Sequence, residues 1–230
     1  MKLDIERLEK KFNININSPE LIARAFVHKS YANENEDTPD DNERLEFLGD
    51  AVLDLAISSY LFQHFPGKDE GELAKMRAYI VSEPTLAQRA KSLNLGDFLL
   101  LGKGEEKTGG RARKSILADT MEAFIGALYL DQNYEIIQQL IQELFQKELA
   151  EVLDGDFDRD FKTLLQEYIQ QEKDSHPEYR VVSELGPDHN KTFLIEVYVE
   201  GRCLGQGQAD SKKEAQQKAA GAALKELNFL

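Results

Sequence analysis

Apolar positions along residues 2–153 recur at three- and four-residue spacing, the period of helices that bury one face. Residues 2–12 and 19–27 read as amphipathic helices, the second opened by Ser18 as N-cap with Pro19 at its first position. A polar, acidic run from Asn33 to Asp41 reads as a loop, with His28 just before it as a helix-end residue. The pattern then predicts a long helix from Asn42 to about Phe65, stopped by Pro66-Gly67. Gly71 to Ile80 and Glu83 to Leu93 follow, with Ser82 capping the latter. Ile116 to Leu130 comes next, and Tyr134 to about Leu153 carries Ile137, Leu140, Ile141 and Leu144 on one side. Residues 1–153 are therefore expected to form an all-α domain.

Residues 154–159, rich in Asp with Gly155, read as a flexible linker, and beyond them the period changes. Phe161 to Gln171 is helical, whereas Glu178 to Glu184, Thr192 to Glu200 and Arg202 to Gln208 alternate as short strands, with Gly201 in the turn between the last two. Ser211 to Leu227 is an Ala-rich helix capped by Ser211. The order α-β-β-β-α over residues 160–230 predicts a small α+β domain after the helical one.

Composition narrows the function. There is no apolar run near the roughly 20 residues that span a bilayer and no signal-peptide core at the start, so a cytoplasmic protein without a membrane partner is expected. The lone Cys203 excludes an internal disulfide and a cysteine-built zinc site, and its strand setting predicts a buried neutral thiol. A net charge of −14 argues globally against a polyanionic partner. It is unevenly spread: residues 1–156 hold 18 basic and 29 acidic side chains, and residues 157–230 hold 10 and 13. Screening acts over about 8 Å, so local basic patches decide.

The chemistry centres on the long helix. At 100° per residue, Glu43, Glu46, Asp50 and Asp54 fall within roughly 80°, nearly opposite Leu45, Leu48, Val52 and Leu55. Such a stripe is either a solvated face or a site for a divalent cation. Arg44 is the only basic residue of the stretch and points elsewhere, and like charges at this spacing repel. Gly49, which costs up to about 1 kcal/mol in a helix interior, predicts a close packing partner at that turn. A second pair, Asp119 and Glu122, shares a face of the Ile116–Leu130 helix, opposite Leu117, Met121, Phe124 and Leu128. Leading into it is a Gly-rich basic segment, Gly102 to Ser115, which reads as a mobile loop. Its Lys107, Arg111 and Arg113 are either a solvated turn or phosphate-binding groups. Hard oxygen donors of this kind select Mg²⁺, with Mn²⁺ as a substitute.

These residues carry a resemblance. Asn42-Glu-Arg-Leu-Glu-Phe-Leu-Gly-Asp-Ala-Val-Leu53 resembles the signature of the ribonuclease III family of double-stranded RNA endonucleases, a His-x-Ser-Tyr segment at His28 precedes it, and Ala118 to Ala127 is similar to that family's second acidic motif. Gly186 to Phe193 and Ser211 to Ala220 resemble a double-stranded RNA-binding domain, so the likeness covers nearly the whole chain. It implies that Glu46, Asp119 and Glu122 ligate metal, that Asp50 completes the cluster and positions water, and that Glu43 supports them. Asp50 and Glu122 are the expected catalytic pair. For the second domain it implies RNA contacts from Gln166 and Glu167 on the first helix, His189 in a groove-inserted loop, and Lys212, Lys213 and Lys218 at the last helix. Gln216 stands where relatives often place another basic residue, which implies modest, salt-sensitive affinity.

Cutting both strands requires two opposed centres, so a homodimer is expected; the resemblance implies that the signature helix takes part in its interface, which places Phe47 there. The resemblance implies products with 5′-phosphates, 3′-hydroxyls and short 3′ overhangs, from ribosomal and messenger RNA precursors. The competing reading is a catalytically silent double-stranded RNA-binding relative, expected to lack one of the four acids; all four are present here.

Overall fold

The computed structural model describes residues 4–35, 40–153, 155, 160–173, 175–186 and 191–229. The chain divides into two compact units, Met1–Phe157 and Asp158–Leu230. Of the expected linker, only Gly155 lies within the described residues.

The first unit is helical: α1 (Ile5–Phe12), α2 (Pro19–Arg24), α3 (Lys29–Glu34), α4 (Glu43–His64), α5 (Glu70–Ile80), α6 (Glu83–Ser92), α7 (Lys103–Lys107), α8 (Lys114–Asp131), α9 (Tyr134–Leu144) and α10 (Gln146–Leu153). Two buried helices, α4 and α8, form its centre. Their backbones meet at glycines: a Cβ on Gly49 would lie 1.8 Å from the Glu122 carbonyl oxygen, and one on Gly126 2.2 Å from that of Leu45. This is the close partner that Gly49 implies. Around the crossing, Phe12 packs on Phe124 at 4.9 Å between ring centroids, and Phe26 on Phe98 and Phe124 at 5.5 and 5.6 Å. Each aromatic side chain buried this way contributes on the order of 2–3 kcal/mol of transfer free energy.

The buried face of α4 differs from the one its apolar pattern predicts. Leu45, Gly49, Val52, Leu53, Ala56, Ile57 and Leu61 are buried, a sector running roughly from 180° to 360° counted from Glu43. The core side is thereby rotated toward the carboxylates, because α8 crosses at Gly49. Leu55, expected inside, is 55% exposed. Three further departures appear. Tyr134–Leu153 is two helices, since the backbone at Phe145 (φ −106°, ψ 17°) leaves the helical path as its ring enters the core. The Gly-rich basic segment is largely folded, as α7 and a short 3₁₀ turn at Gly110–Ala112. His28 caps the unforeseen α3, its Nδ1 accepting the Ser30 N–H at 3.2 Å.

The second unit follows the expected order: α11 (Phe161–Lys173), β1 (Glu178–Leu185), β2 (Thr192–Val199), β3 (Arg202–Ala209) and α12 (Lys212–Glu226). The strands pair antiparallel in the order β1-β2-β3. Glu200 and Gly201 make the two-residue turn between β2 and β3 with φ of 50° and 80°, the positive values a tight hairpin needs. The Ala-rich character of α12 has a packing cause. Ala215, Ala219, Ala220 and Ala223 are buried, and a Cβ on Gly205 or Gly207 would meet the α12 backbone at 2.4 or 2.2 Å. Small residues on both sides let helix and strand touch. Cys203 is exposed, not buried, because it faces away from the helices, beside Tyr198.

Candidate active site

The α4–α8 crossing brings the two acid pairs together. Glu46 of α4 and Asp119 and Glu122 of α8 each offer a carboxylate oxygen, all within 4.8 Å of one another. All three are half-buried, an outcome of the rotated α4 face that sets Glu46 at the rim of the core. Asp50, one turn further along α4, is exposed and stands outside this trio, but its charge acts on Glu122. Glu43, one turn before Glu46, accepts a hydrogen bond from Lys29 Nζ at 3.0 Å.

Confinement of these acids has an electrostatic signature. Burial, then the charges of Asp50, Glu46 and Asp119, pushes Glu122 up to about 8. Asp119 is raised by burial and then by Glu83, and Glu46 by burial and then by Asp119 and Glu43. An array that resists ionising all of its carboxyls has the donor chemistry for a divalent cation: hard oxygens, close together and partly withdrawn from water. The cluster can hold a metal ion. Asp54, in contrast, faces Arg77 at 3.8 Å and is tied to the α5 side.

The expected RNA-contacting residues are dispersed over both units. Gln166 and Glu167 occupy the exposed side of α11, with Leu165 and Ile169 buried behind them. Lys212 and Lys213 stand exposed in the first turn of α12, whose N-terminus is capped by Ser211 Oγ accepting the Glu214 N–H at 3.2 Å. Lys212 also reaches Glu184 at 2.7 Å, and Lys218 pairs with Glu214 at 2.8 Å. Gln216 accepts from Lys162 Nζ at 2.9 Å, which brings that lysine to the position lacking a basic residue. His189 lies outside the described residues. In the first unit Lys107 is exposed, but Arg111 and Arg113 are engaged. Arg111 pairs with Glu106 and donates to the carbonyls of Gly96 and Leu99 at 2.6 and 2.9 Å, and Arg113 pairs with Glu105 at 2.7 Å.

The Ribonuclease-III-like family profile matches residues 18–149, and that of the double-stranded RNA binding motif matches residues 161–227. Ribonuclease 3 of Natranaerobius thermophilus is 48% identical over 225 residues, covering 98% of this chain and 97% of its own. This chain belongs to the ribonuclease III family. Ribonuclease 3 of Bacillus cereus is 49% identical over 222 residues, with 95% of this chain and 89% of its own covered. The solved nuclease domain of ribonuclease III from Campylobacter jejuni superposes with a TM-score of 0.59 at 42% identity, over 64% of this chain and 99% of that one. The chain is thus an endoribonuclease of the ribonuclease III type, with a helical nuclease domain and a double-stranded RNA-binding domain. Among its described residues, no helix is long and apolar enough to cross a membrane.

Sequence reasoning passed over several residues at this ribonuclease III site. Glu83 was explicable as a helix-start acid, yet its charge bears on Asp119. Lys29 and His28 also act on Asp119, from α3, which had no visible period. Phe47, 80% exposed, is joined on α4 by Phe62 at 74% and Leu55, within a sector of roughly 80°. That second apolar stripe was hidden by assigning Leu55 to the core.

Proposed function

We propose that this ribonuclease III hydrolyses double-stranded RNA with divalent metal ions, Mg²⁺ first and Mn²⁺ as substitute, held by Glu46, Asp119 and Glu122. The observation that carries the reading is the convergence of these three carboxylates from two helices to within 4.8 Å. Divalent ions held there would supply an activated water, neutralise charge growing on phosphorus and assist the departing 3′ oxygen. Asp50, exposed beside Glu122, completes the set and orients the water, and Glu43 supports it. The products carry 5′-phosphates and 3′-hydroxyls, with short 3′ overhangs where two centres act on one duplex.

Substrate is gripped by shape. Lys212 and Lys213, in an α12 first turn whose dipole adds to their charge, bind phosphates, while Gln166, Glu167 and His189 enter minor grooves over about 16 base pairs. Lys107 guides the backbone toward the acids; Arg111 and Arg113 join it by exchanging a carboxylate for a phosphate. Two copies pair through the Phe47–Leu55–Phe62 stripe, a self-complementary apolar surface suited to a two-fold interface. The setting is cytoplasmic maturation of ribosomal and messenger RNA precursors.

A long end-labelled RNA duplex tests this. Cleavage is expected on adding Mg²⁺ or Mn²⁺, with products that ligate through a 5′-phosphate. Equal cleavage in excess EDTA, or 2′,3′-cyclic phosphate ends, overturns it, since the latter mark attack by the RNA's own 2′-hydroxyl.

A further inference from the structure

We propose that Lys29 is a phosphate-binding residue of the cleavage centre, held at the edge of the Glu46–Asp119–Glu122 cluster by Glu43, where it grips the RNA backbone beside the bond to be cut. The inference rests on reading that cluster as the metal centre.

Position comes first. The start of α3 is tethered to α4 and to the strand-like segment at Leu100. The Asn42 N–H donates to the Val27 carbonyl at 2.9 Å, the Asn42 side chain, 3% exposed, donates to that of Ala25 at 3.3 Å, and the His28 N–H donates to that of Leu100 at 3.1 Å. Lys29 therefore leaves a fixed backbone point, and its Nζ reaches Glu43 at 3.0 Å, one turn from Glu46 on the same helix face. Both partners remain open to solvent, at 59% and 54% exposure.

Charge is the second consideration. Lys29 acts on both Glu46 and Asp119, and Glu43 holds its ammonium firmly protonated. His28, which also acts on Asp119, is shifted toward the neutral form by burial, and its Nδ1 is occupied as an acceptor for Ser30. Arg77, Arg111 and Arg113 pair with Asp54, Glu106 and Glu105, and each of these pairs is less exposed to water than Lys29–Glu43. Among the described residues that act on the cluster, Lys29 is a cation 59% open to solvent. An exposed pair such as Lys29–Glu43 contributes little in water, so exchanging its carboxylate for a phosphate costs little.

The test uses the full chain with Lys29→Met and Lys29→Arg, each checked for an unchanged thermal transition, and Glu122→Gln in parallel. Duplex binding is followed in Ca²⁺ across a salt series, and cleavage in Mg²⁺. For Lys29→Met the slope of log affinity against log salt should shrink by about 0.7–0.9, the loss of one phosphate contact. Cleavage should fall roughly 10- to 100-fold, the worth of a hydrogen bond to a charged group, with Lys29→Arg restoring most of it. If Glu122→Gln abolishes cleavage while Lys29→Met keeps both slope and rate, the role of Lys29 is overturned and the metal centre stands. A change confined to the Mg²⁺ requirement, with the slope intact, also overturns it, by making Lys29 a counter-ion of the acids only. If Glu122→Gln still cuts, it is the cluster reading that fails.

Discussion

Gly49→Ala isolates the link between packing and chemistry, because the added methyl meets backbone and not a side chain that can turn away. Its Cβ would sit 1.8 Å from the Glu122 carbonyl oxygen, 2.5 Å from the Glu122 carbonyl carbon and 2.9 Å from the Gly126 nitrogen. Ordinary contact begins near 3.4 Å, so α4 and α8 must separate locally by about 1.6 Å. Overpacking of this kind costs typically 1–3 kcal/mol, or roughly 2–12 °C in Tm for a unit of this size. The chemical consequence is larger. The separation moves Asp119 and Glu122 away from Glu46, and misplacement by about 1 Å can cost 10²-fold in rate. Gly49→Ala should lower the Mg²⁺-dependent cleavage rate by about two orders of magnitude and weaken metal binding, while duplex binding in Ca²⁺ through the second unit persists. Gly67→Ala, where nothing lies within 4 Å of the new methyl, is the control and should match wild type. Initial rates, thermal melts and metal titration read the outcome. A Gly49→Ala protein with wild-type Tm and rate would show that the two helices do not cross as described, and the account of the site would go with it.

The other predictions concern proton linkage and assembly. In metal-free protein Glu122 titrates near 8, against 4.5 in the unfolded chain, so between those values the folded state holds the extra proton. Stability must then fall as pH rises through that window, with Glu46 and Asp119 acting in the same direction. Melts in EDTA should show Tm declining toward pH 8 less steeply for Glu122→Gln than for wild type; parallel curves refute the assignment. Divalent metal should reverse the decline, since it replaces that proton. Phe47→Arg places a charge in the exposed α4 stripe and should convert the proposed dimer into a 26.1 kDa monomer by light scattering, whereas an unchanged dimer mass removes Phe47 from the interface.

Much of this was legible in the chain, for identifiable reasons. The ends of α4 were marked by the acidic loop before it and by Pro66-Gly67 after it, and the Asp-rich run at 154–159, followed after one more helix by strands of period 2 from Glu178, separated the two units. The carboxylate pairs stood out because acids three residues apart without cations are electrostatically costly, and Gly49 announced a close crossing. What stayed hidden depended on tertiary contacts. A helical wheel cannot tell which flank of an apolar sector faces the core, so Leu55 was placed inside and the Phe47–Phe62 stripe was overlooked. Phe145 carries no Gly or Pro signal, and the break between α9 and α10 follows from burying its ring. Glycines made Gly102–Ser115 read as loose, whereas its arginines pair with Glu105 and Glu106 and fold it. Lys29 lies 14 residues from Glu43, and no spacing rule connects them.

Glu46, Asp119 and Glu122 are proposed to form the metal centre that cuts RNA. Comparing wild type with Glu122→Gln on one long RNA duplex tests it most directly, with cleavage measured in Mg²⁺ and binding measured by gel shift in Ca²⁺. Both proteins should bind the duplex equally, and only wild type should cut it. Cleavage by Glu122→Gln at a rate near wild type would contradict it.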